Sequence, residues 1–486
     1  MNRVNDRKEY AAFLGAVAKI GCIGFGGGSA LIPVIEEEIV KKQNLDTKEN
    51  IDKDVVVASI TPGALPVEIV SSIGRRCFGT KGMIMAAVMM ALPGAFVTIL
   101  MMTLLSVLQS DLLSMIETAS VGVSAFIIYL LVKYVVNVVK TCRKESKNRE
   151  IKAVLLMIVV FVLVCGKNLH KIFGIEGTPL FAISTVQILA LAFFCMFYSR
   201  SNYNVKNVTV MLVLGTIFLL GNGKAQIISV PYLLQAVQVL MLALAVWGVY
   251  QNGREKKWKF SGDKRQLFRE TVIWFALLGV FSILAVLAER GALVFVGKGC
   301  LSALMSFGGG DAYLTIADGL FVESGMITEH QYYSQIVPVV NVLPGSILCK
   351  TLAGVGYYIG FNTTGSAVTG IIFAAAGFVS SIAVSCGFFM MIYHLYDSLQ
   401  MLWAFQMVSR WIRPIIAGML LNIILSLANQ CMAVVGAHSG GTGWGAVPVL
   451  LGLALLNAGM VQKWKIPQVW ILVFDIAAAA FFLYLF

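Results

Sequence analysis

Apolar residues fill this chain in long blocks separated by short polar stretches, and the block lengths predict helices that cross a bilayer. Ile151–Gly166, Phe181–Tyr198, Pro231–Tyr250, Trp274–Ala288 and Pro467–Phe486 approach or exceed the roughly 20 residues that a helix needs to span hydrocarbon. Ala11–Gly24 predicts a helix that stops at Gly26-Gly27-Gly28 and resumes as Ala30–Val40, ending in Glu36-Glu37-Glu38. Lys41–Lys53 is polar and predicts a loop. Val55–Ile73 is apolar but interrupted by Pro62-Gly63 and Pro66. Met83–Val107 predicts a span with a kink at Pro93-Gly94. Ser110–Thr118 predicts a short acidic connection, and Val121–Val139 a further span.

The blocks repeat. Phe25-Gly26-Gly27-Gly28-Ser29-Ala30 returns as Phe307-Gly308-Gly309-Gly310-Asp311-Ala312, an offset of 282 residues. The same offset places Thr61-Pro62-Gly63 on Leu343-Pro344-Gly345, Gly74 on Gly356, and Glu36 on Asp318. With one extra residue, Gly82 and Gly94 fall on Gly365 and Gly377, and Pro179 and Pro467 open corresponding last helices. A long repeat of apolar units is a common plan of secondary transporters, whose halves meet at broken helices. The expected architecture is all-α and polytopic: a first repeat over residues 1–200, a hydrophobic connector of about three helices over 201–290, and a second repeat over 291–486.

Counting each run as one crossing puts six in the first part, three in the connector and six in the second. Most lysine- and arginine-rich loops then share the N-terminal side, which the positive-inside rule makes cytoplasmic. Lys41–Lys53, with four lysines, is the exception. Nine crossings separate the glycine triplets; an odd number inverts one half relative to the other. Re-entrant Pro-Gly hairpins would lower the count by one and reverse that parity.

Composition narrows the class. Charged residues make up 13% of the 486 and hydrophobic ones 58%, against about 25% charged in soluble domains. The net charge of +12 lies in loops between apolar runs, so it orients a membrane protein and does not predict nucleic-acid binding. Nine scattered cysteines and four distant histidines have no metal or disulfide spacing. Neither a cofactor nor a metal is expected. Met1–Tyr10 does not resemble a signal peptide.

Three consecutive glycines break a helix and bare the N–H groups of the next half-helix, which attract anions; close packing of small residues is the alternative. Gly26, Gly27, Gly28, Ser29, Gly308, Gly309 and Gly310 are therefore candidate substrate contacts. Pro62-Gly63 and Pro344-Gly345 free further backbone groups. Thr61 and Asn341 beside them could bind a substrate oxygen or satisfy the freed backbone. Lys19 precedes the first break. Ionisable residues inside apolar segments are costly and mark function by default: Glu68 and Lys350 occupy equivalent positions and could pair as a gate or as a structural ion pair; Asp311 is a candidate coupling group, and so is Glu36, through its acidic counterpart Asp318, where a solvated helix end is the alternative.

These motifs resemble the chromate ion transporter family. Phe25–Gly28, Ala30, Ile32, Pro33, Ile35 and Glu36 match its first motif, with Lys19-Ile20-Gly21 as lead-in; Thr61-Pro62-Gly63 and Gly74 match its second. Phe307–Gly310, Ala312, Asn341, Leu343-Pro344-Gly345 and Gly356 repeat the pattern. Ala64 and Ser346 stand where the family usually has a second proline, Ser29 and Asp311 where it has tyrosine or proline, and Glu68 where it often has asparagine. The resemblance implies a bacterial inner-membrane oxyanion transporter, exporting chromate on the proton-motive force and conferring chromate resistance, with sulfate as a natural competitor. It leaves open a homodimer. A passive anion channel and a membrane-embedded lipid-modifying enzyme are the alternatives. The enzyme lacks support, since no H-E-x-x-H, Asp-rich cluster or P-loop lysine is present.

Overall fold

The computed structural model describes residues 7–23, 31–107, 110–179, 182–199, 205–222, 228, 230–254, 264–306, 310–399, 403–439, 443–464, 466 and 468–485. Every regular element among them is helical. The first helices are α1 (Arg7–Ile23), α2 (Ile32–Ile35) with the π-helical segment Glu36–Lys41, α3 (Lys48–Ile60), α4 (Leu65–Val107) and α5 (Ser110–Glu145). Then come α6 (Lys147–Val164), α7 (Gly166–Phe173), α8 (Thr185–Tyr198), α9 (Val205–Asn222), α10 (Pro231–Arg254) and α11 (Lys264–Ala288). The second half holds α12 (Ala292–Met305), α13 (Gly310–Ala317) with the π segment Asp318–Val322, and the π segment Gln331–Ile336 leading into α14 (Val337–Val342). It closes with α15 (Ile347–Thr364), α16 (Ala367–Leu399), α17 (Trp403–Ser439), α18 (Ala446–Gln462) and α19 (Gln468–Leu485). Among the described residues, six helices are long and apolar enough to cross a membrane. By compactness the chain forms two units: Met1–Leu131 with Asp263–Tyr393 and Gln430–Phe486, and Val132–Gly262 with His394–Asn429.

The first unit is built on four helical hairpins, two per repeat. In the first, α1 and the segment Ile32–Lys41 lie side by side in opposite directions: Lys19 Nζ meets Glu38 Oε1 at 2.9 Å, and Gln43 Nε2 donates to the Ala12 carbonyl at 3.1 Å. In the second, α3 runs against residues 65–78 of α4. Arg76 closes its base by donating to Asp46 Oδ2 and Asp54 Oδ2, each at 2.6 Å, while Ser72 Oγ donates to Asp54 Oδ1 at 2.9 Å. The third pairs α12 with α13 and its π segment; Ser302 Oγ and Tyr313 OH are 2.9 Å apart, and Lys298 Nζ donates to Ser324 Oγ at 2.8 Å. The fourth pairs Gln331–Val342 with α15, closed at its base by Gln331 and Asn362, whose amides exchange bonds of 3.0 and 3.1 Å.

These pairings correct several expectations. The glycine-triplet segments and the Pro-Gly segments do not each run through as one crossing, because their two arms pack antiparallel. The 13 residues of α3 rise only about 20 Å as helix, short of the roughly 30 Å hydrocarbon core. The loop expected over Lys41–Lys53 is shorter, since α3 starts at Lys48 with Thr47 Oγ1 accepting from Asn50 N. Ser110–Thr118 opens α5 as helix. In α4 a break that was not expected falls at Gly79 (φ 68°, ψ −152°), and Pro93 lies inside the helix that follows. Ser71 Oγ reaches the Met83 carbonyl at 3.1 Å; a straight helix would hold these residues about 18 Å apart. The chain therefore folds back at Gly79, where a left-handed φ suits glycine.

Residues 80–107 of α4 then run past parts of both repeats. Met90 O lies against Gly21 of α1. Gly94 faces the Pro344 carbonyl and the Lys350 stem, and Thr98 the backbone at Gly354. Ser106 Oγ lies 2.7 Å from Tyr357 OH, toward the base of the fourth hairpin. Helix α16 does the converse. Phe373 stacks on Phe295 with centroids 5.8 Å apart, Ser385 meets the second hairpin at its tip, and Tyr393 lies under Lys53 Nζ (4.9 Å) and Arg75 (5.2 Å) at that hairpin's base end.

The second unit packs α8, α9 and α10 around Phe194, Leu214, Phe218, Val237 and Met241. A separate cluster joins Val138, Cys142, Ala153, Met157 and Ala417. Asn168 of α7 ties to α17: its Nδ2 donates to Asn422 Oδ1 at 2.9 Å and to Ser426 Oγ at 2.7 Å.

Candidate functional site

The two Pro-Gly tips are built alike. Thr61 (φ −87°, ψ 149°) and Leu343 (φ −79°, ψ 145°) are extended, as a following proline requires. Gly63 and Gly345 then take φ of 141° and 94°, values strained for any side chain. The sequence repeat is thus a repeat of backbone conformation.

Each tip touches the segment leading to the other half's glycine triplet. Gly63 N donates to the Ser306 carbonyl at 2.8 Å. Gly345 lies against the Gly21 carbonyl, 3.5 Å from where a Cβ would stand. Ser385 of α16 accepts from Ala64 N at 3.2 Å. The tip of the second hairpin, the end of α12 and the middle of α16 therefore converge, as do the tip of the fourth, the end of α1 and Gly94 of α4.

Glu68 and Lys350 sit just inside these tips, 0% and 1% exposed. They do not form the pair that their equivalence suggested. Each reaches back seven residues across its own break: Glu68 Oε2 lies 3.3 Å from Thr61 Oγ1, and Lys350 Nζ donates to the Leu343 carbonyl. Positions 61 and 343 are themselves equivalent, so one tip carries an acceptor where the other carries a donor. The Thr61 hydroxyl also lies 3.1 Å from the Val57 carbonyl. It has one hydrogen to give; given to Val57, it leaves the Glu68 contact in need of a proton on the carboxyl. Glu68 Oε1 and Ser306 Oγ are buried and lack a hydrogen-bond partner. The arrangement can hold a proton on Glu68 and present a cation on Lys350.

Other expected site residues lie elsewhere. Lys19, with 54% of its side chain exposed, is paired with Glu38, which also takes Lys42 at 2.9 Å. Glu36 faces Lys48 at 3.5 Å. Asn341 Nδ2 donates to the Val337 carbonyl at 2.8 Å. Gly26, Gly27, Gly28, Ser29, Gly308 and Gly309 lie outside the described residues; Gly310 and Asp311 open α13. Ser385, Ser306 and Gly94 join the tips without having been singled out as site residues. Three wholly buried serines in one apolar helix, Ser380, Ser381 and Ser385, are a signal the sequence did carry.

Long apolar helices, two homologous halves and paired broken helices define a multi-pass membrane protein of the transporter class. The sequence model of the chromate transporter family matches residues 11–219 and 298–483. The chain belongs to the chromate transporter family. It is similar to two uncharacterized transporters of Bacillus subtilis (strain 168): YwrB, 30% identical over 84 residues, and YwrA, 25% identical over 83 residues. Each match covers 17% of this chain and 43% and 47% of those proteins, so the chain spans less than half the length of either relative. No solved structure matches.

Proposed function

We propose that the protein moves an inorganic oxyanion, chromate or its isostere sulfate, outward across the bacterial inner membrane, driven by the proton-motive force. The observation that carries this reading is that each Pro-Gly tip packs on the segment leading to the other half's glycine triplet and holds a buried ionisable residue just inside it, Glu68 in one and Lys350 in the other. Half-helix ends and a lysine suit an anion; a carboxyl that can be neutralised suits a coupled proton. Export of a dianion across about 100 mV, inside negative, releases about 4.6 kcal/mol.

In this reading the two halves insert from opposite faces, with hairpin bases outward and tips near mid-membrane. Supporting it is the path of residues 80–107 of α4, which leave the base of the second hairpin, pass the fourth hairpin's tip at Gly94 and approach its base at Ser106. Treating all four hairpins as re-entrant leaves seven crossings between the glycine triplets, still odd. The lysines of 41–53 then join the N-terminus on the cytoplasmic side. The acidic turn Glu323–Gln331, with no lysine or arginine, falls outside, as the charge rule favours.

The test is uptake of labelled chromate and sulfate into inverted vesicles with and without a pH gradient. Saturable, gradient-stimulated flux is expected, and Glu68→Gln should keep exchange but lose the stimulation. Absence of saturable flux of either anion would overturn the substrate.

A further inference from the structure

Far along the chain from the tips, α19 carries one charged residue, Asp475, in an otherwise apolar sequence. Its side chain is 0% exposed, as is that of Asn457 on α18. Asn457 Nδ2 donates to Asp475 Oδ2 at 2.6 Å. The two oxygens left over, Asp475 Oδ1 and Asn457 Oδ1, are buried without any hydrogen bond. On the other side, the backbone at Asp475 packs on Gly122 of α5 so closely that a Cβ there would stand 2.6 Å from the Asp475 carbonyl carbon.

Among the described residues, no cation forms a salt bridge with this carboxylate. Helix α18 contains no charged residue, and neither do residues 119–132 of α5. On residues 119–132 of α5 the titratable side chain is Tyr129, seven residues beyond Gly122, and α17 brings Cys431 beside Ser124. Both side-chain types are ordinarily neutral near pH 7. An ionised acid here would face a second acceptor with one donor between them, at mid-helix in an apolar region, which is costly.

A single hydrogen resolves every one of these mismatches. A carboxylic acid and a primary amide share two parallel bonds: amide N–H to one acid oxygen, and acid O–H to the amide oxygen. The first is already made. We propose that Asp475 and Asn457 form a proton-binding site, loaded when Asp475 Oδ1 is protonated and donates to Asn457 Oδ1. The step is acid–base alone: carboxylate plus one proton gives the neutral acid, and release returns both. The tight approach at Gly122 excludes water, so the closed packing holds the loaded form, and unloading requires α5, α18 and α19 to part. The offset that places Pro467 on Pro179 places Asp475 on Gln187, which is neutral. The site therefore belongs to the second half alone.

The full-length chain in proteoliposomes tests this in two arms. The infrared arm does not depend on the transport reading: the wild type should show a protonated-carboxyl C=O band that Asp475→Asn removes and Asn457→Ala shifts to higher frequency. A wild type without that band, or a band unmoved by either change, overturns the site; should Asp475→Asn fail to insert, Asn457→Ala decides. The flux arm rests on the proposed transport and uses labelled sulfate and chromate. One coupled proton supports about a tenfold concentration ratio per pH unit. Asp475→Asn should reduce gradient-driven accumulation to its gradient-free level while leaving exchange at equal pH within about twofold of wild type. Accumulation equal to wild type overturns a coupling role, and loss of wild-type exchange itself would instead sink the substrate assignment.

Discussion

Replacing Gly63 by alanine tests how the second hairpin's tip is held. The residue has φ 141°, so any side chain incurs strain of about 1–3 kcal/mol. Its new Cβ would also stand 2.6 Å from Ser385 Oγ and 2.8 Å from Ser385 Cβ, with Glu68 Oε1 closer still. Overpacking of this kind costs about 1–3 kcal/mol more. The total, about 2–6 kcal/mol, should be visible as lowered thermal stability in detergent, followed by size-exclusion of heated samples. Gly345→Ala supplies the control at the equivalent position. Its φ of 94° carries the strain, but the nearest atom to its Cβ is the Gly21 carbonyl at 3.5 Å, an ordinary contact. Gly63→Ala should therefore destabilise more than Gly345→Ala, and Ser385→Gly should recover part of the difference in a double-mutant cycle. Equal effects at the two glycines, or no rescue through Ser385, would refute the account of the tip.

Three further expectations follow from the hairpin bases and their connections. Arg76→Ala leaves Asp46 and Asp54 buried without their shared guanidinium, so it should cost about 3–5 kcal/mol, read from the same thermal assay. Hydrogen bonds from Lys19 and Lys42 hold the Glu38 carboxyl below its ordinary value. That contribution is complete above the unfolded value of roughly 4.3 and is lost as pH falls through the folded one, so the stability gap between wild type and Glu38→Gln should close on acidification. In a cysteine-free background, Gln43→Cys should react with an impermeant thiol reagent only from the cytoplasmic face and Glu329→Cys only from the outer face; labelling of both from one face would rule out opposed halves.

Much of the fold was legible in the chain. The 282-residue offset located two Pro-Gly tips before either was seen, because a left-handed φ after a proline demands glycine in both. Hydrophobic pattern could not separate a hairpin from a crossing, since both arms of α1 and Ile32–Lys41 are apolar and periodicity is blind to direction. The misplaced lysines of 41–53 were the one hint. The equivalence of Glu68 and Lys350 was correct in sequence and misleading in space: each side chain turns back to polar groups freed at its own tip, Thr61 in one and the Leu343 carbonyl in the other. Asp475 passed unremarked because its partner, Asn457, is neutral and lies on another helix.

The two hairpin bases differ in how firmly they are fastened. One is riveted by a guanidinium between two buried carboxylates; its counterpart is closed by an exposed pair of amides, Gln331 and Asn362. Related halves need not move alike. Charge against charge secures the one, amide against amide the other, so the two repeats are not fastened with equal strength.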